Sequence, residues 1–169
     1  MNVSPEFLAD LCRKHGTGIF APLKWQGTPL DRVRLLWAVA GVESSFGLNC
    51  TPRHEQGYCY AGKYFDRQRS HDWGCLAHCS FGPWQVMYSH FPLDVSPLSL
   101  MWDTDGRIAA ELCCLGAVRV LNDAIARGVD TFGGIAVVYN GPADEATYSA
   151  HLGLCYDRPM PEPVSAVTA

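Results

Sequence analysis

This chain has no basic surplus: 13 Lys and Arg stand against 17 Asp and Glu, for a net charge of −4. Affinity for a phosphate backbone rests on a basic footprint, so the electrostatic case for a dedicated nucleic-acid binder falls away and at most a local basic stripe remains. Long apolar runs are missing as well, and nothing approaches the ~20 residues of a membrane-spanning helix. The opening Met-Asn-Val-Ser-Pro-Glu-Phe-Leu-Ala-Asp has neither a basic leader nor an apolar stretch and does not read as a secretory signal. There is no internal repeat, no low-complexity block and no strand-rich segment, which removes solenoid and all-β architectures. Charge is sparse at 18% against 48% hydrophobic residues, the reverse of a disordered composition. At 169 residues the chain is one domain able to bury about two thirds of its unfolded surface.

Helical punctuation recurs. Ser4-Pro5-Glu6 reads as an N-cap, a first-turn proline and a dipole-matched acid, opening a helix that buries Phe7, Leu8, Leu11 and Cys12 and stops near Gly16. Thr28-Pro29 repeats the start signal, and Val33, Leu36, Trp37 and Ala40 mark a helix over 29–46. Residues 48–82 lose this periodicity and hold four of the eight cysteines with three histidines, long for an unsupported loop. A short helix is expected from Pro83 to about Phe91, a long one from Asp105 to Arg127, another from Thr131 through Val138, and a last one from Asp144 toward Cys155. A small β hairpin is expected near Tyr58 to Phe65. The predicted class is mainly α, with a single domain over 1–157 and a frayed Pro-rich tail over 158–169.

Glu43 is the chemical anomaly. It follows Leu36 by seven residues, Val39 by four and Ala40 by three, so on a helix it shares their apolar face. Burial disfavours the charged carboxylate and raises its pKa, the condition for a glutamic acid that protonates a poor leaving group such as a glycosidic oxygen. The plain alternative is a helix-end glutamate reaching solvent near Gly47.

Gly41-Val42-Glu43-Ser44-Ser45-Phe46-Gly47 resembles the Glu-Ser-aromatic signature of the lysozyme-like lytic transglycosylases, which are related by fold to goose-type lysozymes. Ser80-Phe81-Gly82-Pro83-Trp84-Gln85-Val86-Met87 resembles their Gly-Leu-Met-Gln-(Ile/Leu)-Met motif, and Ala136-Val137-Val138-Tyr139-Asn140-Gly141 their Ala-x-x-Tyr-Asn-(Ala/Gly)-Gly motif. The three occur in the family's order and cover roughly residues 29–142. The resemblance implies a lysozyme-like α+β fold, with a helical core and a small β element or cysteine-rich loop beside a cleft. It further implies a substrate of peptidoglycan glycan strands, action at the bacterial cell wall or periplasm, and no cofactor. The lack of a signal, the compact size and the single domain add the expectation of phage-type or machine-delivered release, and a monomer is expected. By matched position Glu43 is the catalytic acid and base, Gln85 and Met87 contact the sugar, and Tyr139 lies beside the catalytic carboxyl. Asn140 helps shape the cleft. Ser44 matches the motif serine and is grouped with the substrate-side residues, its favoured role being structural, bonding backbone at the helix end. Three departures stand out: 42 positions separate Glu43 from Gln85, Pro83-Trp84 replaces Leu-Met, and Pro142 replaces a second glycine.

Transglycosylation needs no second acid, because the muramic C6 hydroxyl attacks its own C1. Hydrolysis by an inverting route would need a water and a second carboxylate about 6.5–9.5 Å away. Asp66, Asp72 and Glu55 are candidates for that carboxylate, or else loop acids paired with Arg67, Arg69 and Lys63. A non-catalytic glycan-binding module is the remaining reading of the same motifs.

Cys50, Cys59, Cys75 and Cys79 are candidates to close the insertion as two disulfides, and Cys12 could pair with Cys155 across the terminal helices. A zinc site drawing on these thiols with His54, His71 or His78 is the rival, and would make this segment a metal-stabilised interaction unit. Neither a Cys-x-x-Cys pair nor a His-Glu-x-x-His motif supports it, so no metal is expected. Trp37 and Trp102 are expected in the core, and Trp73 and Trp84 along a sugar groove.

Overall fold

The computed structural model describes residues 2–20, 25, 27–60, 62, 65–101 and 106–163. It is predominantly helical. Helix α1 (Pro5–Gly16) starts where Ser4 Oγ accepts from the Phe7 amide at 3.3 Å, and α2 (Arg32–Ser44) where Asp31 Oδ1 accepts from the Arg34 amide at 3.1 Å. The insertion holds strand β1 (Arg53–His54), a 3-10 turn (Gln56–Tyr58), helix α3 (Arg67–Trp73) and a second 3-10 turn (Gly74–His78). Strands β2 (Cys79–Phe81) and β3 (Val86–Met87) follow, then α4 (Arg107–Ala126), α5 (Phe132–Asn140) and α6 (Glu145–Asp157). Among the described residues no helix is long and apolar enough to cross a membrane.

Helix α2 is the centre of the packing. It lies against α1 and α6, while α6 also packs on α5 and α1 on α4. Leu35, Leu36, Trp37 and Val39 are buried from α2, meeting Leu8, Leu121, Ile135 and Leu152 in one core. The end of α2 is abrupt. Ser45, Phe46 and Gly47 carry φ of 53°, 59° and 86°, and the Gly47 carbonyl accepts from the Val3 amide at 2.9 Å. A Cβ on Gly47 would stand 2.5 Å from the Val3 carbonyl oxygen, so the position admits glycine alone on both conformation and space.

The sheet is antiparallel with order β1-β2-β3, pairing Arg53 with Ser80, His54 with Cys79, Ser80 with Met87 and Phe81 with Val86. It replaces two expected elements. The helix over Pro83–Phe91 is instead a β2–β3 hairpin followed by a 3-10 turn at Tyr88–His90, because Gly82-Pro83-Trp84-Gln85 closes a tight turn with Gln85 at φ 44°. The hairpin expected at Tyr58–Phe65 is absent from the described part of that stretch, whose Gly62 amide bonds back to the Cys59 carbonyl in a turn. The strands form where the two ends of the insertion meet. Lys63, Trp102 and Asp105 lie outside the described residues.

Helix α3 was hidden by its polarity. Its inward face is Arg69 and Ser70, both buried. The Arg69 guanidinium donates to the carbonyls of Tyr88 at 3.1 Å and Phe91 at 2.8 Å, pairs with Asp66 at 3.3 Å and lies over the Tyr88 ring. A buried cation so fully bonded substitutes for an apolar side chain.

The start of the tail also departs from expectation. Arg158 stacks over the Phe46 ring at 4.4 Å, Met160 packs on the core, and the Pro161 carbonyl accepts from Arg13, so residues 158–161 are laid along α1 and the end of α2. All eight cysteines are free thiols. Cys12 is buried beside Cys114, whereas Cys155 sits over Gly41, so the expected Cys12 with Cys155 pairing is not made. Cys50, Cys59, Cys75 and Cys79 are likewise unbridged.

Candidate active site

Glu43 is the penultimate residue of α2, and its side chain is 10% exposed. The apolar face carries it inward, as the spacing from Leu36, Val39 and Ala40 requires. It lines a cavity of about 140 Å³ together with Gln85, Met87, Tyr139 and Asn140, so all three sequence motifs reach one place. Arg53, Glu55, Tyr58, Ser80 and Val138 also line it.

Two donors hold the carboxyl. Tyr148 on α6 donates its hydroxyl to Glu43 Oε1 at 2.5 Å, and Arg53 Nη2 bonds Glu43 Oε2 at 3.0 Å and the Glu43 carbonyl at 2.6 Å. Burial pushes the Glu43 pKa above the ordinary glutamate range. The Tyr148 hydrogen bond and then the Arg53 charge pull it down without cancelling that rise, and nearby Glu55 adds to it. Burial and the neighbouring Glu43 push the Tyr148 hydroxyl far up, so it remains a donor. Both neighbours donate, so neither offers an acceptor to a proton on the carboxyl.

Arg53 was not singled out by sequence, and it organises the site. Its Nε donates to Gln85 Oε1 at 2.8 Å, and Ser80 Oγ lies 2.8 Å from the same oxygen and 3.1 Å from Glu55 Oε1. Gln85 Nε2 donates to the carbonyls of Thr51 and Gly82. Gln85 is therefore a buried brace between the insertion and the hairpin as well as a wall residue.

Several expected site residues are elsewhere. Trp84 is fully buried with its indole donating to the Leu36 carbonyl at 2.8 Å, so it belongs to the core and not to a sugar groove. Ser44 is buried too. Its hydroxyl donates to the Ala40 carbonyl and accepts from the Gly47 amide, both at 2.9 Å, which makes it a clasp for the end of α2 and not a substrate contact. Trp73 is half-buried at the end of α3 against the core and does not line the cavity. Asp66 caps α3 and pairs with Arg69, while Asp72 bonds His71 and Gln68 at the surface; neither borders the cavity. Glu55 alone of the three acids does. Tyr139 is stacked on Tyr148 with ring centroids 6.3 Å apart, and its buried hydroxyl has no hydrogen-bond partner among the described residues. The tyrosine bonded to the carboxyl is thus Tyr148. The spacing of Tyr148, Leu152 and Cys155 along one helix face was the available signal.

No family model, curated protein or solved structure matches this chain.

Tyr148→Phe removes a donor that favours the carboxylate. The Glu43 pKa should rise further. Titration of the Glu43 carboxyl followed by NMR on both proteins checks this, and an unmoved pKa would show that the contact does not set the titration.

Proposed function

We propose that this chain adopts a lysozyme-like arrangement and cleaves the β-1,4 bond between N-acetylmuramic acid and N-acetylglucosamine in peptidoglycan, as a lytic transglycosylase. The observation that carries the reading is the convergence of a buried Glu43, its pKa raised by burial, with Gln85, Met87, Tyr139 and Asn140 on one cavity. Glu43 protonates the bridging oxygen, and the N-acetylglucosamine side leaves with that proton as its hydroxyl. The resulting carboxylate is stabilised by Tyr148 and Arg53, which already face its two oxygens. It then takes the proton of the muramic C6 hydroxyl as that oxygen bonds to C1. A 1,6-anhydro ring closes and Glu43 is again protonated. Met87 and Val138 offer apolar contact to a sugar face, and Asn140 a polar one.

Glu55 favours one second reading, hydrolysis. It shares the cavity and interacts with the Glu43 charge, the position in which a base for an attacking water is useful. Digestion of purified sacculi in heavy-oxygen water followed by mass spectrometry separates the two. Anhydromuramic ends without solvent oxygen are expected; reducing ends carrying it would overturn the transglycosylase reading. Glu55→Gln should change the rate only a few-fold under transglycosylation, against a loss of about 10²–10⁴ if Glu55 is the base.

A further inference from the structure

The insertion brings together three side chains that the cleavage reading does not use. His54 on β1, Cys59 just after the first 3-10 turn and His78 at the end of the second place their ligand atoms within 4.8 Å of one another. Cys59 Sγ is 3.2 Å from His54 Nε2. Two Zn–ligand bonds at tetrahedral angles hold sulfur and nitrogen about 3.6 Å apart, so the Cys59–His54 pair needs a shift of only a few tenths of an ångström to share the ion.

The hydrogen bonding of His78 suits the same task. Ser70 Oγ donates its proton to the Asp66 carbonyl at 2.6 Å and lies 2.8 Å from His78 Nε2. With its one proton committed, the hydroxyl can only accept from Nε2–H. That fixes neutral His78 as the Nε2–H tautomer and leaves the Nδ1 lone pair free, the way a fixed outer partner orients a metal-bound imidazole. His71 is paired with Asp72 at the surface and stays outside the cluster.

We propose that His54, Cys59 and His78 form a zinc(II) site that clips the insertion shut. One thiolate with two imidazoles suits zinc and is poor for magnesium or calcium, which take oxygen ligands. The graded exposure of the set, from exposed His54 through half-buried Cys59 to buried His78, leaves an entry from solvent. The site fastens β1 at His54, between Arg53 and Glu55, so it holds the segment that brings both side chains to the cavity. It does not depend on what that cavity cleaves.

The test uses the full chain stripped of metal by chelator. Zinc titration against a competing chromophoric chelator should give one ion per chain, and cobalt(II) should give tetrahedral d–d absorption with a thiolate charge-transfer band. Cys59→Ser should abolish that band, and His54→Ala should weaken zinc binding at least about ten-fold, the lower end of what even an outer-shell loss costs. Ser70→Ala retains all three ligands and covers the case in which a ligand variant does not fold; it should weaken binding about 10–100-fold. Absence of one-to-one binding overturns the proposal. So does zinc affinity unchanged in Cys59→Ser, since binding would then rest on the other thiols, or unchanged in Ser70→Ala, since the imidazole that Ser70 holds would then not be a ligand.

Discussion

Glu43→Gln should abolish cleavage of sacculi, by at least about 10²–10⁴-fold, the usual share of one positioned acid and base in a rate. Glutamine keeps the size of the side chain and an oxygen for the Tyr148 hydroxyl, but it has no proton to give. Affinity for glycan strands should persist, because Met87, Val138 and Asn140 are untouched on the cavity wall. A non-catalytic glycan-binding module would have no cleavage to lose, and a fully active variant would end the assignment of Glu43. The same substitution has a stability signature of fixed sign. Folding raises the Glu43 pKa, so the native state holds this proton more tightly than the unfolded chain. Below the unfolded value both states are protonated and nothing is lost. As pH rises from the ordinary glutamate pKa to the raised one, the wild type progressively loses stability, and above that the loss is constant. Glu43→Gln does not titrate. Its stability advantage should therefore be absent in acid, open across that window and then level off, as read from urea midpoints at a series of pH values. An advantage that instead grows toward acid would contradict a raised pKa.

Most of the helical frame is legible in local spacing, because each helix needs only its own residues to declare an apolar face and a cap. Thr131 does cap α5, accepting from the Gly134 amide at 3.1 Å, and Gly128 ends the α4 region with φ 90°. Glu43 is legible for the same reason: its burial follows from its register with Leu36, Val39 and Ala40 on one helix. What escapes local reading is decided between elements. Tyr148 reaches Glu43 only because α6 packs on α2, and Arg53 reaches both Glu43 and Gln85 only because β1 pairs with β2. Helix α3 escapes because Arg69 replaces apolar packing with bonds to carbonyls far along the chain. The cluster of His54, Cys59 and His78 has no contiguous motif, since its members converge through a sheet pairing and two turns. Each of these four rests on a contact whose partner lies outside any local window of sequence.

Trp84→Ala should be the most damaging single change to the fold outside the acid network. The indole is fully buried, so truncation leaves a cavity and costs about 3–5 kcal/mol, a large part of the 5–15 kcal/mol that holds a domain of this size. The loss also breaks the 2.8 Å bond from Trp84 Nε1 to the Leu36 carbonyl, the tie between the hairpin turn and the middle of α2. Gln85 follows directly, held in a left-handed conformation by that turn, and its amide braces Arg53. Loosening Trp84 therefore reaches Glu43 through two neighbours without touching the cavity. Trp84→Phe separates packing from hydrogen bonding. It refills most of the volume and should cost about 1–3 kcal/mol, while the KM for glycan strands stays near the wild-type value because the ring contacts no sugar. Urea unfolding followed by far-ultraviolet circular dichroism, with kinetics on the same preparations, reads both quantities. A Trp84→Phe protein with an unchanged unfolding midpoint and a raised KM would instead put this side chain in the sugar groove.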